Sequence, residues 1–123
     1  IDTTTSVDFE EDQKPVTFAL FQNYPNPFNP VTIIQYAVDG RQIKAADGGL
    51  WTADGYFPRV TLKIYNILGQ KVRTLVDEPK GAGNYEVIWD GKDDKGKDVA
   101  SGIYFYQLTA GDYKDTKKMI LIK

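Results

Sequence analysis

The chain has 123 residues, 17 of them acidic and 15 basic, and a formal net charge of −2. That is the size of one ordinary domain with a buried core, and the balance gives no electrostatic case for nucleic-acid binding. Cysteine and histidine are both absent, which excludes disulfides, thiolate or imidazole metal sites, and Ser-His-Asp or Cys-His catalysis.

Residues 1–15 read as an acidic, Thr-rich linker arriving from an upstream domain. Five acids (Asp2, Asp8, Glu10, Glu11, Asp12) fall in the first twelve residues, with no Lys or Arg among them. No apolar run approaches the roughly 20 residues of a bilayer-spanning helix, and the opening residues are not expected to act as a signal peptide. Because it starts at Ile1, the sequence is expected to be a fragment of a longer protein. From residue 16 onward a single domain is expected.

Val16 to Gln22 predicts a short edge strand. It leads into Asn23-Tyr-Pro-Asn-Pro-Phe-Asn-Pro30, where three prolines fix φ and bias their predecessors toward extended conformations. This segment reads as a stiff connector, with Tyr24 and Phe28 plugging the edge of the fold. A Pro-rich docking ligand is the sharper alternative.

Val31 to Val38 predicts a strand with Thr32, Ile34, Tyr36 and Val38 on one face. Asp39 to Pro58 carries four glycines, together with Leu50, Trp51, Tyr56 and Phe57. It reads as an extra hairpin or a long loop. Trp51, Tyr56 and Phe57 are candidates for an aromatic platform stacking on sugar rings; otherwise they cap an open end of the core.

The stretch Val60 to Val76 is the centre of the pattern. Val60, Leu62 and Ile64 alternate with polar neighbours, Asn66 to Gln70 interrupts them, and Lys71 to Val76 resumes, which predicts a β-hairpin. Gly69 supplies the residue able to take positive φ at the reversal. Asp77 to Gly83 is a turn region, Tyr85, Val87 and Trp89 alternate along the next strand, and Gly91 to Lys97 is a charged loop. Ile103 to Thr109 and Tyr113 to Lys123 are the last two strands, joined at Gly111-Asp112. The core candidates are Leu62, Ile64, Val87, Trp89, Ile103 and Phe105. Seven strands with short turns and no helical period predict an all-β, antiparallel, immunoglobulin-like sandwich.

Asp90, Asp93, Asp94 and Asp98 raise the question of weak calcium binding. Counting from Asp90 as first ligand places Lys92 at position three and Lys95 at position six, where an EF-hand loop needs an oxygen ligand and a glycine. The loop therefore reads as solvated, with no metal expected. Glu86 is the carboxylate best sheltered in a strand, yet glycosidase chemistry needs two across a cleft. Gly48-Gly49 and Gly81-Ala-Gly83 lack the following helix of a phosphate loop. Neither catalysis nor a cofactor is expected.

In the terminal strand, alternation permits only one set of apolar residues to face inward. Ile120 and Ile122 are assigned to the core, with Met119 and Leu121 outward. The lysines at 117, 118 and 123 guard an edge, and the strand is expected to offer an open backbone edge suited to strand addition.

Five segments, Leu20 to Pro30, Val60 to Val76, Ala82 to Asp90, Ala100 to Tyr106 and Lys117 to Lys123, resemble the type A C-terminal sorting domain of the bacterial type IX secretion system, in that family's order. The part from Val60 to Tyr106 also resembles the immunoglobulin-like domain of the flagellar hook-capping protein, especially Trp89 to Gly96. The resemblance implies a non-catalytic β-sandwich over residues 16–123, exported through the periplasm and secreted or held at the cell surface. Its implied partners are the outer-membrane secretion machinery and an upstream passenger such as a peptidase, glycoside hydrolase or adhesin. The recognition residues it implies are Pro25, Pro27, Phe28, Pro30, Gly102, Tyr104, Lys118, Met119, Ile120, Leu121, Ile122 and Lys123. Members of that family usually cross from the strand at Tyr36 to the strand at Val60 by a short turn, so the insertion at about 39–58 is a departure. It leaves open an accessory module of a secreted multidomain enzyme, either structural or binding polysaccharide through Trp51, Tyr56 and Phe57.

Overall fold

The computed structural model describes residues 17–39, 48–53 and 55–123. The predicted linker, Val16 and part of the 39–58 insertion lie outside the described residues. Nine strands are formed among them: β1 (Ala19–Leu20), β2 (Thr32–Val38), β3 (Leu50–Thr52), β4 (Gly55–Phe57), β5 (Arg59–Tyr65), β6 (Lys71–Pro79), β7 (Gly83–Trp89), β8 (Gly102–Ala110) and β9 (Tyr113–Leu121). Seven build the sandwich. A four-stranded sheet runs β9-β8-β5-β6 and a three-stranded sheet runs β1-β2-β7, every pairing antiparallel. The remaining two, β3 and β4, form a separate hairpin inside the insertion.

The central hairpin forms where the alternation breaks. Asn66 accepts the Gly69 amide on its carbonyl and donates its own amide to Gln70, both at 3.0 Å. Its side-chain Oδ1 accepts the amides of Leu68 and Gln70, and Gly69 takes the positive φ of 81° that the reversal requires. Two bulges in the β5–β6 pairing bend this hairpin.

The core lies between the sheets. Ile34, Tyr36, Val38 and Trp89 enter from the three-stranded side and meet Val60, Leu62, Ile64, Tyr104, Tyr106, Leu108, Met119 and Leu121 from the other. Leu62, Ile64 and Trp89 are buried as the alternation predicts, and Val87 packs against them half-buried.

Two faces are the reverse of the sequence expectation. In β8 the buried set is Tyr104, Tyr106 and Leu108, while Phe105 is half-buried on the outer face and Ile103 is 40 % exposed. Side-chain direction alternates, so the set containing Gln107 and Thr109 had to face water together with Ile103 and Phe105. The tyrosines tolerate burial because their hydroxyls donate to backbone carbonyls, Tyr104 to Ala100 at 2.6 Å and Tyr106 to Phe21 at 2.8 Å. In β9 the same rule puts Lys114, Thr116 and Lys118 outward with Ile120 and Ile122. Met119 and Leu121 are therefore the buried pair, opposite Tyr104 and Gly102 of β8.

Candidate functional site

The sequence-predicted recognition residues come together at one pole of the sandwich, where β9 ends and β2 begins. Asn23 is the buried anchor of the proline-rich segment. Its Nδ2 donates to the Pro25 carbonyl and to Thr32 Oγ1, and its backbone amide donates to the Tyr106 hydroxyl at 2.8 Å. Thr32 Oγ1 in turn donates to the Pro25 carbonyl. Two backbone bonds between Tyr24 and Ile33 then lay the segment beside β2.

From there the segment crosses to the other sheet and clasps the end of β9. Asn26 Oδ1 accepts the Ile120 amide at 2.9 Å. The Phe28 amide donates to the Ile120 carbonyl and the Ile122 amide donates to the Phe28 carbonyl, both at 2.9 Å. Gln22 Nε2 adds a bond to the Lys118 carbonyl. The terminal strand is thus not an open edge here, contrary to expectation: Gln22, Asn26 and Phe28 hold its outward backbone groups from Lys118 to Ile122. A parallel bridge between Phe28 and Leu121 completes the seam.

Within this seam the side chains divide cleanly. Phe28 is buried, while Pro25, Pro27 and Pro30 face solvent. All three prolyl peptide bonds are cis. Tyr24, expected to plug the edge, instead projects into solvent, 77 % exposed. The Phe28 ring packs on Trp89, which also meets Tyr104 edge-on with ring centroids 5.4 Å apart. Trp89 Nε1 donates to the Lys92 carbonyl, tying the charged loop to the same cluster. Gly91 fits against Pro30: an added Cβ there would meet the Pro30 carbonyl oxygen at 3.1 Å, and φ is +77°. Lys123 donates its amide to Ser101 Oγ, and Gly102 lies opposite Leu121.

The aspartates of the charged loop are committed to the protein itself. Asp93 Oδ1 accepts the amides of Lys95 and Lys97, and the Lys97 bond is the larger cause holding its carboxyl below the usual range. Asp98 is lowered chiefly by its hydrogen bond from Lys92 Nζ at 2.7 Å, and the same bond raises Lys92. Asp90 accepts the Lys92 amide and pairs with Arg73. Asp94 caps the Thr74 amide and pairs with Lys71. Among the described residues no three acids converge as a metal-ligand set.

Trp51, Tyr56 and Phe57 lie away from the seam, in and beside the β3–β4 hairpin, and do not form one flat exposed surface. Trp51 is 59 % exposed, but Tyr56 is buried and its ring is tilted 50° from that of Trp51. Phe57 packs over Gly81, in the turn before β7. Tyr56 and Phe57 are drawn into contact with their neighbours, as expected for rings of this size, while Trp51 stays largely exposed.

Sequence reasoning missed the polar members of the seam: Gln22, Asn23, Asn26 and the Tyr106 hydroxyl. The available signal was the repeated Asn-Pro and Asn-Tyr-Pro pattern, since Asn side chains satisfy backbone groups where proline prevents a ladder.

The architecture defines an immunoglobulin-like β-sandwich whose terminal strand is clasped by a proline-rich segment. The FlgD Ig-like domain family matches residues 39–114, more than half of the sequence, and the chain belongs to that family. The match includes β3 to β8 but neither the proline-rich segment nor most of β9. No curated protein matches the chain. Among solved structures it is similar to PorZ of Porphyromonas gingivalis, described as an essential bacterial surface component of the type-IX secretion system. That similarity has a TM-score of 0.47 at 18 % identity, over 85 % of this chain and 11 % of PorZ.

Proposed function

We propose that this chain is a non-catalytic C-terminal sorting domain that directs export or surface attachment of an upstream passenger through type IX secretion. The observation that carries the reading is the clasp of Phe28 onto Ile120 and Ile122. It joins into one surface two segments, Asn23 to Pro30 and Lys117 to Lys123, whose resemblance to the sorting family arose independently at opposite ends of the sequence. Pro25, Pro27, Pro30, Lys118, Ile122 and Lys123 form the solvent-facing part of that surface and are the residues a secretion receptor would touch. Phe28, Tyr104, Met119 and Leu121 are buried beneath and hold it in shape. Membership in an immunoglobulin-like family supports a binding role rather than catalysis.

The test is export of a reporter passenger fused upstream, in a host competent for type IX secretion. Lys118→Glu with Lys123→Glu is expected to leave melting nearly unchanged, since exposed substitutions usually move stability by less than about 0.5 kcal/mol. It is expected to leave the reporter in the periplasm. Normal export of that variant and of a chain lacking residues 118–123 would rule the reading out.

A further inference from the structure

We propose that the outer face of the four-stranded sheet is a docking surface for an acidic polypeptide segment of a partner protein. The strand register builds this face row by row, because residues directly opposed in neighbouring strands project to the same side. One row is Lys114, Thr109 and Thr61; the next is Thr116, Gln107 and Lys63; the third is Lys118, Phe105 and Tyr65, with Lys71 beside Tyr65 across a bulge. Ile120 and Ile103 close the array.

Four lysines therefore share one sheet face with two aromatic rings and two isoleucines. Lys63, Lys114 and Lys118 have no ion-pair partner among the described residues, whereas Asp77, opposite Thr61 on the face itself, and Asp94 beside it are engaged. Asp77 pairs with Arg59 at 3.0 Å and Asp94 with Lys71 at 3.6 Å. The cationic face is a local feature of a chain whose net charge is −2. It is not the overflow of a basic protein.

The chemistry of the face selects its occupant. Its unpaired cations are lysines, which act as point charges, whereas Arg59 on the same face is held by Asp77. Such charges attract carboxylates singly but do not by themselves choose among anions, so the apolar residues between them decide the occupant. Between the lysines lie Phe105, Tyr65 and Ile103, which need apolar side chains opposite them. A pleated face of four strands about 4.8 Å apart suits an extended chain. Acidic residues interspersed with apolar ones in an extended polypeptide meet all three conditions. An anionic polysaccharide such as alginate meets the charge and extension conditions but brings no apolar side chains to set against Phe105, Tyr65 and Ile103.

This inference concerns binding by the purified chain and stands apart from the sorting reading. Lys63 and Lys114, used to test it, are not sorting residues. The isotope-labelled full chain is titrated with a glutamate–tyrosine copolymer and, separately, with alginate, while amide shifts are followed by NMR. Shifts are expected along Lys63, Phe105, Lys114 and Lys118 with the copolymer, and the binding is expected to weaken with added salt. Lys63→Glu with Lys114→Glu is expected to lower copolymer affinity by about tenfold, with an unchanged fold in the amide spectrum. The charge-matched control, Lys95→Glu with Lys97→Glu, is expected to bind as wild type. Shifts centred on the 92–97 loop, equal losses in both variants, tighter binding of alginate, or no binding of the copolymer would each overturn the proposal.

Discussion

The ring of Phe28 lies 5.7 Å from the ring of Trp89, tilted by 55°, and this contact joins the proline-rich segment to the end of β7. Both side chains are almost wholly buried. Aromatic pairs at such spacing contribute about 0.5–1.5 kcal/mol beyond their area burial. Trp89→Ala also leaves a large cavity between the sheets and is expected to cost about 3–5 kcal/mol. Chemical denaturation of Trp89→Ala, Phe28→Ala and the double variant measures the coupling directly. Simple additivity of the two losses would mean that the segment and the core are energetically separate.

The clasp has its own signature in hydrogen exchange. Asn26→Ala removes the acceptor of the Ile120 amide and is expected to cost about 1 kcal/mol. The Ile120 amide should exchange faster, while amides of β5 at the sheet centre keep their protection. Uniform acceleration across the chain would instead indicate a global loss of stability.

Gly91 offers a sharper steric test at the same pole. Its φ of +77° is one that a side chain rarely adopts, and its Cα faces the Pro30 carbonyl. Gly91→Ala combines backbone strain, of order 1–3 kcal/mol, with crowding against the Pro30 carbonyl oxygen. Gly96→Ala is the matched control, since its φ is +84° but nothing lies within 4 Å of an added Cβ. Thermal melts should place Gly91→Ala clearly below Gly96→Ala.

The strands and the central reversal were legible because β5 alternates apolar and polar residues without a break, and Asn66 to Gln70 carries turn chemistry. Trp89 was legible for the same reason, with Tyr85 and Val87 preceding it on one face. The facing of β8 and β9 was not, because Ile103 to Tyr106 and Met119 to Ile122 are apolar on both sides. The deciding residues lay elsewhere in each strand, after that run at Gln107 and Thr109 in β8 and before it at Lys114 and Thr116 in β9. The clasp was least legible. Asn26 and Ile120 are 94 residues apart, and no local pattern encodes a bond between an asparagine side chain and a distant backbone amide. The two ends of the seam could be named from family resemblance, but only folding shows that they touch.

Alkaline pH probes two buried tyrosines, Tyr36 in the core and Tyr106 beneath the seam. Burial is the main cause pushing both Tyr36 and Tyr106 up from the ordinary phenol value to about 12. For Tyr106 the amide of Asn23, which donates to its oxygen, works in the opposite direction. The folded state therefore keeps these two protons when the unfolded chain, with phenols near 10, has begun to release its own. It follows that the stability tied to these groups is fully present below about pH 10 and is lost as pH rises from there toward about 12. Chemical denaturation at about pH 8 and about pH 11 should show that fall, and phenolate absorbance should reveal a late-titrating class of tyrosines. Tyr106→Phe removes one late tyrosine together with its bonds to Phe21 and Asn23. It is expected to be less stable near neutrality by about 1–3 kcal/mol, because the buried Asn23 amide loses its acceptor. Its stability should also fall less steeply with pH. An equal slope in the two proteins would show that Tyr106 does not contribute to the alkaline transition.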